Sequence, residues 1–400
     1  MLNQRYCWGL IASLMANLIA GTHCQAQSIS LVGRASLSPT ATDLSGETAL
    51  QEDGTPQNQL GGLGSGIAWL GTGDRYVMIP DRGPGDGATS YRCRFQVVEI
   101  PVDPAASEPV KVRLVGTHFL TNDKGVNYVG RSTQFNPSQP SNSLRMDPEG
   151  IRATKSGSYF IADEYGPSVR HFDGSGKLIQ VLPTPKKYEI QFPSGSPEQE
   201  LPPRNLSGRQ ANRGWEGLAL SGDDRKLFAI LQSPLIQDGG LNAQNKRVGT
   251  NVRIWEHDLV TSKSREFLYQ LEDKSHGCSE IEWVSPNRLL VIERDGKPGS
   301  EAKAKRVYDI DLTHATDISS LEKLPSTGIP AGVQPVAKRL FLDLLAPELG
   351  LAGDQFPEKI EGIALGPVLP DGRRVVVIAS DNDFKKDEPT EFYVFATKLD

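Results

Sequence analysis

Short apolar runs recur along the chain, each closed by Gly, Pro, Asn or Asp, and few stretches carry the spacing of an amphipathic helix. The runs form a repeat: a carboxylate or its substitute, usually Gly, an apolar strand, a turn, a second apolar strand and a polar cluster. Five copies are legible. Ser65–Leu70 precedes Tyr76–Gly83, Glu149–Ile151 precedes Tyr159–Gly166, and Asn212–Leu218 precedes Leu227–Ser233. Ser279–Trp283 precedes Leu289–Asp295 as the weakest copy, and Glu361–Leu365 precedes Val375–Asp383. With Gly66, Gly150, Gly217, Ile281 and Gly362 taken as equivalent, the steps are 84, 67, 64 and 81 residues. Running from Gly362 off the C-terminus and back in at Gln27 closes the circle with 78. Four intervals hold two further strands, such as Ser168–Phe172 and Lys177–Leu182. The last supplies only Glu391–Phe395, so its missing strand is expected from Ser28–Gly33. The fold predicted is all-β: a β-propeller of five four-stranded blades, with six as the alternative, closed by pairing of the N- and C-terminal strands.

The N-terminus changes the picture little. Arg5, an apolar stretch Tyr6–Ala20 and small residues before a cut near Ala26 read as a signal peptide over 1–26, leaving 27–400 as a single propeller domain. A membrane anchor is the alternative, and no later segment is apolar for long enough to cross a bilayer. The expected location is the periplasm or the exterior, and the expected state a monomer. The net charge of −6 becomes −7 once Arg5 leaves, and no basic run of five or more occurs, which argues against a nucleic-acid partner. Cys93 and Cys278 remain, either joined as a disulfide or as two separate buried thiols. The polar stretches Thr121–Arg145, Tyr188–Arg209, Gln237–Gly249 and Ser319–Gln334 read as surface loops.

Candidate chemistry follows from the repeat. In a blade the first strand starts, and the second ends, at the same edge. Rotation about the axis then gathers Glu149, Glu216, Glu280, Glu282 and Glu361 with Asp81, Asp163, Glu164, Glu293, Asp381 and Asp383. So many like charges raise one another's pKa unless something neutralises them. A hard divalent cation, calcium above all, is one answer, and pairing with Arg82, Arg213 and Arg294 is another. A structural role in capping turns and tying blades is the plain alternative for any single acid. Histidines lack metal-ligand spacing, Ser65 is not in a nucleophile elbow, and no phosphate loop occurs.

As a set these motifs resemble the family described as "esterase-like activity of phytase". The likeness rests on Glu149-Gly150-Ile151 leading to Asp163–Ser168, Asn212–Leu218, Glu293-Arg294-Asp295, and Glu361-Gly362-Ile363 with Asp381–Phe384. Ser65-Gly66 with Asp81-Arg82-Gly83 adds to it, and the match spans about Leu31 to Phe395. The resemblance implies an exported phytase-like hydrolase in which calcium activates water against a small anionic phosphoester. Its metal and acid–base candidates are Glu149, Asp163, Glu164, Glu216, Glu361 and Asp381, with Glu149, Glu216 and Asp163 as the catalytic set. Arg82, Arg213, Arg294 and Tyr165 are the implied substrate contacts. Two departures stand out: Gln232 replaces an acid and Ser65 replaces the opening Glu. No Lys-rich pocket for phytate is evident. A second reading is a lactonase-type esterase with Glu149 or Glu361, Asn382 and Asp381 around one metal in an apolar pocket; a third is a non-catalytic binding propeller. Two metals with flanking arginines would favour the phosphoesterase.

Overall fold

The computed structural model describes residues 29–399, so the expected leader over 1–26 lies outside them. The strand β1 (Ser30–Leu37) stands apart from the next four in sequence. Blade one holds β2 (Gly66–Trp69), β3 (Arg75–Ile79), β4 (Arg94–Glu99) and β5 (Arg113–Phe119). Blade two holds β6 (Pro148–Ala153), β7 (Tyr159–Asp163), β8 (Ser168–Phe172) and β9 (Leu178–Leu182). Blade three holds β10 (Trp215–Leu220), β11 (Lys226–Leu231), β12 (Asn251–Asp258) and β13 (Ser264–Gln270). Blade four holds β14 (Gly277–Ser285), β15 (Arg288–Arg294), β16 (Lys305–Asp311) and β17 (Ala337–Asp343). Blade five joins β18 (Lys359–Val368), β19 (Arg374–Asp381) and β20 (Thr390–Thr397) to β1.

Each blade is an antiparallel meander, and the five form a β-propeller closed by the two chain ends. Strand β1 pairs with β20, placing Leu31 opposite Phe395 and Ser36 opposite Glu391. It runs on to Leu37, beyond Gly33, because Arg34, Ala35 and Ser36 continue the ladder. That pairing covers the edge β20 would otherwise expose. The inner strands contact in ring order, β2 with β6, β6 with β10, β10 with β14, β14 with β18, and β18 with β2.

The Gly of the repeat is what lets those strands meet. A Cβ at Gly150 would lie 2.6 Å from the Leu218 amide nitrogen, and one at Gly217 would lie 2.6 Å from that of Ile281. Backbone meets backbone at the centre, so a side chain has no room there. Blade four departs from this. Cys278 pairs with Glu293 and Glu280 with Ile292, so Glu280, not Ile281, occupies the glycine position. The repeat is therefore displaced by one residue from the expected alignment in that blade.

The Glu280 side chain turns into the channel. There it accepts bonds from the amides of Leu218 (2.8 Å) and Ile281 (3.1 Å) and from Arg152 (3.2 Å). Arg152 also donates to the carbonyls of Ile67 (2.9 Å) and Ile281 (2.7 Å) and lies 3.0 Å from Glu282. One guanidinium thus joins blades one, two and four, and Glu280 and Glu282 serve this tie rather than the mouth.

The two cysteines are not joined: both are free and buried. Cys93 lies in blade one and Cys278 in blade four, which are not neighbours in the ring. Among the described residues no helix is long and apolar enough to cross a membrane.

Candidate functional site

Bulges aim the carboxylates. In β10 the ladder steps from Trp215 to Gly217, in β18 from Ile360 to Gly362, and in β6 from Pro148 to Ile151. Glu216, Glu361 and Glu149 are the residues skipped. A bulge residue leaves the ladder and can turn its side chain toward the axis. The same position is Ser279 in blade four and Ser65, just ahead of β2, in blade one. A second set follows the inner ladder on the adjoining strands: Asp81, Glu164, Gln232, Arg294 and Asp381. The mouth is thus two rings of five, with acids at six of ten places.

The rings enclose a cavity of about 200 Å³. Among the described residues its wall carries no hydrophobic side chain, only charged and polar groups and glycine. Two groups of acids are close enough to share a cation. Asp147, Glu149 and Glu164 bring carboxylate oxygens within 4.8 Å of one another, as do Asp81, Asp381 and Asp383. Asp147 Oδ1 and Glu216 Oε2 are buried without any hydrogen-bond donor. Unmatched buried oxygens of this kind suit a cation.

Resident cations offset part of the charge. Arg82 bonds Asp147, Asp86 and the side-chain oxygen of Asn212, and lies 3.6 Å from Glu164. Asn212 takes a left-handed backbone (φ 54°) next to this contact, a strained state of the sort found at functional sites. Lys359 Nζ bonds Asp383 and lies 3.4 Å from Asp381. Arg294 pairs with Glu361 and donates to Ser279 Oγ at 3.0 Å. Arg213 donates to Gln232 Oε1, and Gln232 Nε2 in turn donates to Glu216 Oε1 at 2.5 Å. An amide can accept from one and donate to the other, which no carboxylate at position 232 could do.

The compensation is incomplete. Burial and Glu361 push Glu216 up to about 8, and burial and Glu216 push Glu164 up to about 8. Burial, then Glu216 and Asp147, hold Glu149 well above the usual carboxylate range. Asp147 is raised by burial even against Arg82, and Asp81 by burial and Asp381. Burial opposes charge on Lys359, yet Glu361 and Asp381 keep its pKa well above the ordinary value.

Of the residues expected from sequence, Glu149, Glu164, Glu216, Glu361, Arg82, Arg213 and Arg294 line the cavity. Asp381 stands beside it in the second acid group. Asp163 does not line it. Side chains alternate along a strand, so Asp163, one residue before Glu164, faces away. It pairs with Arg170 (2.6 Å) and accepts from the amides of Asp147 (3.1 Å) and Tyr165 (3.2 Å). Glu293 faces away in the same manner, bonding Tyr269, His276 and Lys338. Tyr165 lies off the wall, its hydroxyl on the Gly130 carbonyl (3.2 Å) and its ring 5.6 Å from the Arg82 guanidinium carbon. Asp147, Lys359 and Arg247 complete the site and were not anticipated. Asp147 and Lys359 each stand two residues before an opening Glu, a signal present in the sequence.

A five-bladed propeller with a charged mouth built from two carboxylate groups and intervening guanidiniums defines the class. The chain belongs to the phytase-like family, described as esterase-like activity of phytase, whose pattern matches residues 58–384. An uncharacterized secreted protein of Arthroderma benhamiae is 28% identical over 462 residues, covering 90% of this chain and 88% of that one. Among solved structures, a gluconolactonase from Xanthomonas campestris is 9% identical with a TM-score of 0.36, covering 93% of this chain and 98% of that one. A luciferin-regenerating enzyme is 12% identical with a TM-score of 0.33, covering 85% and 93%. Likenesses this weak say nothing of the chemistry.

Proposed function

We propose that the chain is an exported, divalent-cation-dependent hydrolase of small phosphoesters, with calcium as the cation. The observation that carries this reading is the cavity wall. Among the described residues it has no hydrophobic side chain to receive an acyl or lactone ring, and it has two carboxylate groups flanked by arginines. The donors fit calcium, being hard oxygens without a His or Cys among them, with Asp147 Oδ1 still lacking a partner. Asp147, Glu149 and Glu164, with Arg82 on Asp147, would hold one ion; Asp81, Asp381 and Asp383, with Lys359 on the last two, would form a second group. Bound calcium supplies positive charge against the phosphate and lowers the pKa of coordinated water.

The side chains have definable parts in the reaction. A water oxygen forms the bond to phosphorus, the ester P–O bond breaks, and the leaving alkoxide takes a proton. Glu216, which keeps its proton up to about pH 8, is the donor. Glu149 forms no ion pair among the described residues; burial raises its pKa in the bare chain, and a cation bound beside it would restore the charged form that receives the water's proton. Arg213 and Arg294 face the phosphate oxygens as planar donors. Asp163 acts only by fixing the backbone around Asp147 and Tyr165. Export is supported by the basic and apolar start of the chain and by the secreted description of the Arthroderma relative.

Turnover of a chromogenic phosphate ester, with calcium and with chelator, tests the proposal. Calcium-dependent hydrolysis should fall at least about a hundredfold in Glu149→Gln and Glu216→Gln, within the usual weight of a positioned acid or base. Inactivity on phosphate esters with excess calcium, or full activity in both variants, would defeat it.

A further inference from the structure

Among the described residues five cationic side chains line the cavity, and they are not equivalent. Arg82, Arg294 and Lys359 each hold carboxylates. Arg213 and Arg247 hold none among the described residues. Arg213 donates to the neutral Gln232, and Arg247 donates only to the backbone carbonyls of His276 and Ser275, both at 3.3 Å. A guanidinium has five N–H donors, so Arg247 keeps most of its own free. Both residues are half-buried and line the same wall. Two guanidiniums facing one small cavity with no carboxylate paired to either keep charge-assisted donors for an anion, although Glu164 and Glu216 attract Arg213 through space. Their mutual repulsion is visible in Arg247, which burial and then Arg213 and Arg294 bring down to about 10.

Arg247 is also held in place. It sits on a loop hairpin in which Leu241 pairs with Arg247 and the Val248 amide donates to the Gly240 carbonyl at 3.0 Å. Asn242 caps the turn by accepting from the Lys246 amide at 3.0 Å. At its base, buried Asp238 accepts from Arg253 (2.7 and 3.0 Å) and from the Leu324 amide (2.7 Å). The loop is built as a rigid arm that carries one guanidinium into the mouth.

We propose that Arg213 and Arg247 form an oxyanion seat, able to hold a phosphate group without any metal, and that Arg247 selects anionic over neutral esters. The inference rests on the phosphoesterase reading for the identity of the anion but not for its test. Each guanidinium–phosphate contact is charge-assisted and often bidentate, which gives the seat its preference for a tetrahedral oxyanion over water.

The test is calorimetric titration of inorganic phosphate into the full chain in chelator, where hydrolysis plays no part. Wild type should bind, Arg247→Ala and Arg213→Ala should each bind about tenfold or more weakly, and Arg247→Lys should recover part of the loss. Thermal melts of each variant show whether it is folded, and the lysine variant carries the test should the alanine variant unfold. Absence of phosphate binding in the metal-free wild type, or unchanged binding in Arg247→Ala and Arg247→Lys, would overturn the seat. Loss of calcium-dependent turnover with phosphate binding intact would instead overturn the hydrolase reading alone.

Discussion

At the scale of single residues, function at the mouth depends on which of two adjacent side chains faces the axis. Asp163 and Glu164 are neighbours of the same charge, yet Glu164 lines the cavity and Asp163 is bound to Arg170 on the other side of the strand. The motif shows both acids, and only the two-residue alternation counted from a fixed ladder position separates them. Gln232 looked like a loss of charge in sequence and is instead a relay from Arg213 to Glu216. Gln232→Leu should therefore lower kcat/KM on a phosphate ester by about tenfold or more, as expected when a group that orients a site ligand is removed. Its amide favours the charged form of Glu216, so its removal should also move the limb of the pH–rate profile due to Glu216 to higher pH. An unchanged rate and profile would show that Glu216 is positioned without it. Arg247 was beyond reach in sequence, because its loop reads as ordinary polar surface and only the folded hairpin brings it to the wall.

At the scale of strands, the Glu-Gly opening joins two physical requirements in consecutive residues. The Glu is expelled by a bulge and the Gly lets the next blade approach. Five strand pairs were legible because both signals recur. The fourth was misaligned by one residue because Glu280 stands where Gly is expected and the bulge residue there is Ser279. Gly217→Ala would place a Cβ 2.6 Å from the Ile281 nitrogen and 2.7 Å from the Glu280 Cα, backbone atoms that cannot swing aside. Unfolding in urea should show a loss of roughly 1–3 kcal/mol, the usual cost of overpacking. A loss below about 0.5 kcal/mol would mean the inner strands are free to part.

For the molecule as a whole, ring closure was readable from the missing strand of the last interval, and the central tie through Arg152 was not. The charge inventory of the mouth sets how the molecule responds to pH. Glu164 and Glu216 rise from 4.5 to about 8 on folding, so between those values the native chain binds more protons than the unfolded one. Their contribution to stability is full below about pH 4.5 and is lost as pH rises through about 8. A cation held by the same oxygens would take the place of those protons and stabilise the native state by mass action.

The most direct measurement is the Tm of the chelator-treated chain across that pH range, with and without calcium. A cation site in the mouth predicts a Tm that falls toward pH 8 in chelator, a calcium-induced rise that is large at pH 8 and small at pH 5, and loss of that rise in Glu149→Gln. A Tm at pH 8 that calcium does not move, or moves equally in Glu149→Gln, would contradict the claim that the acidic mouth is a cation site.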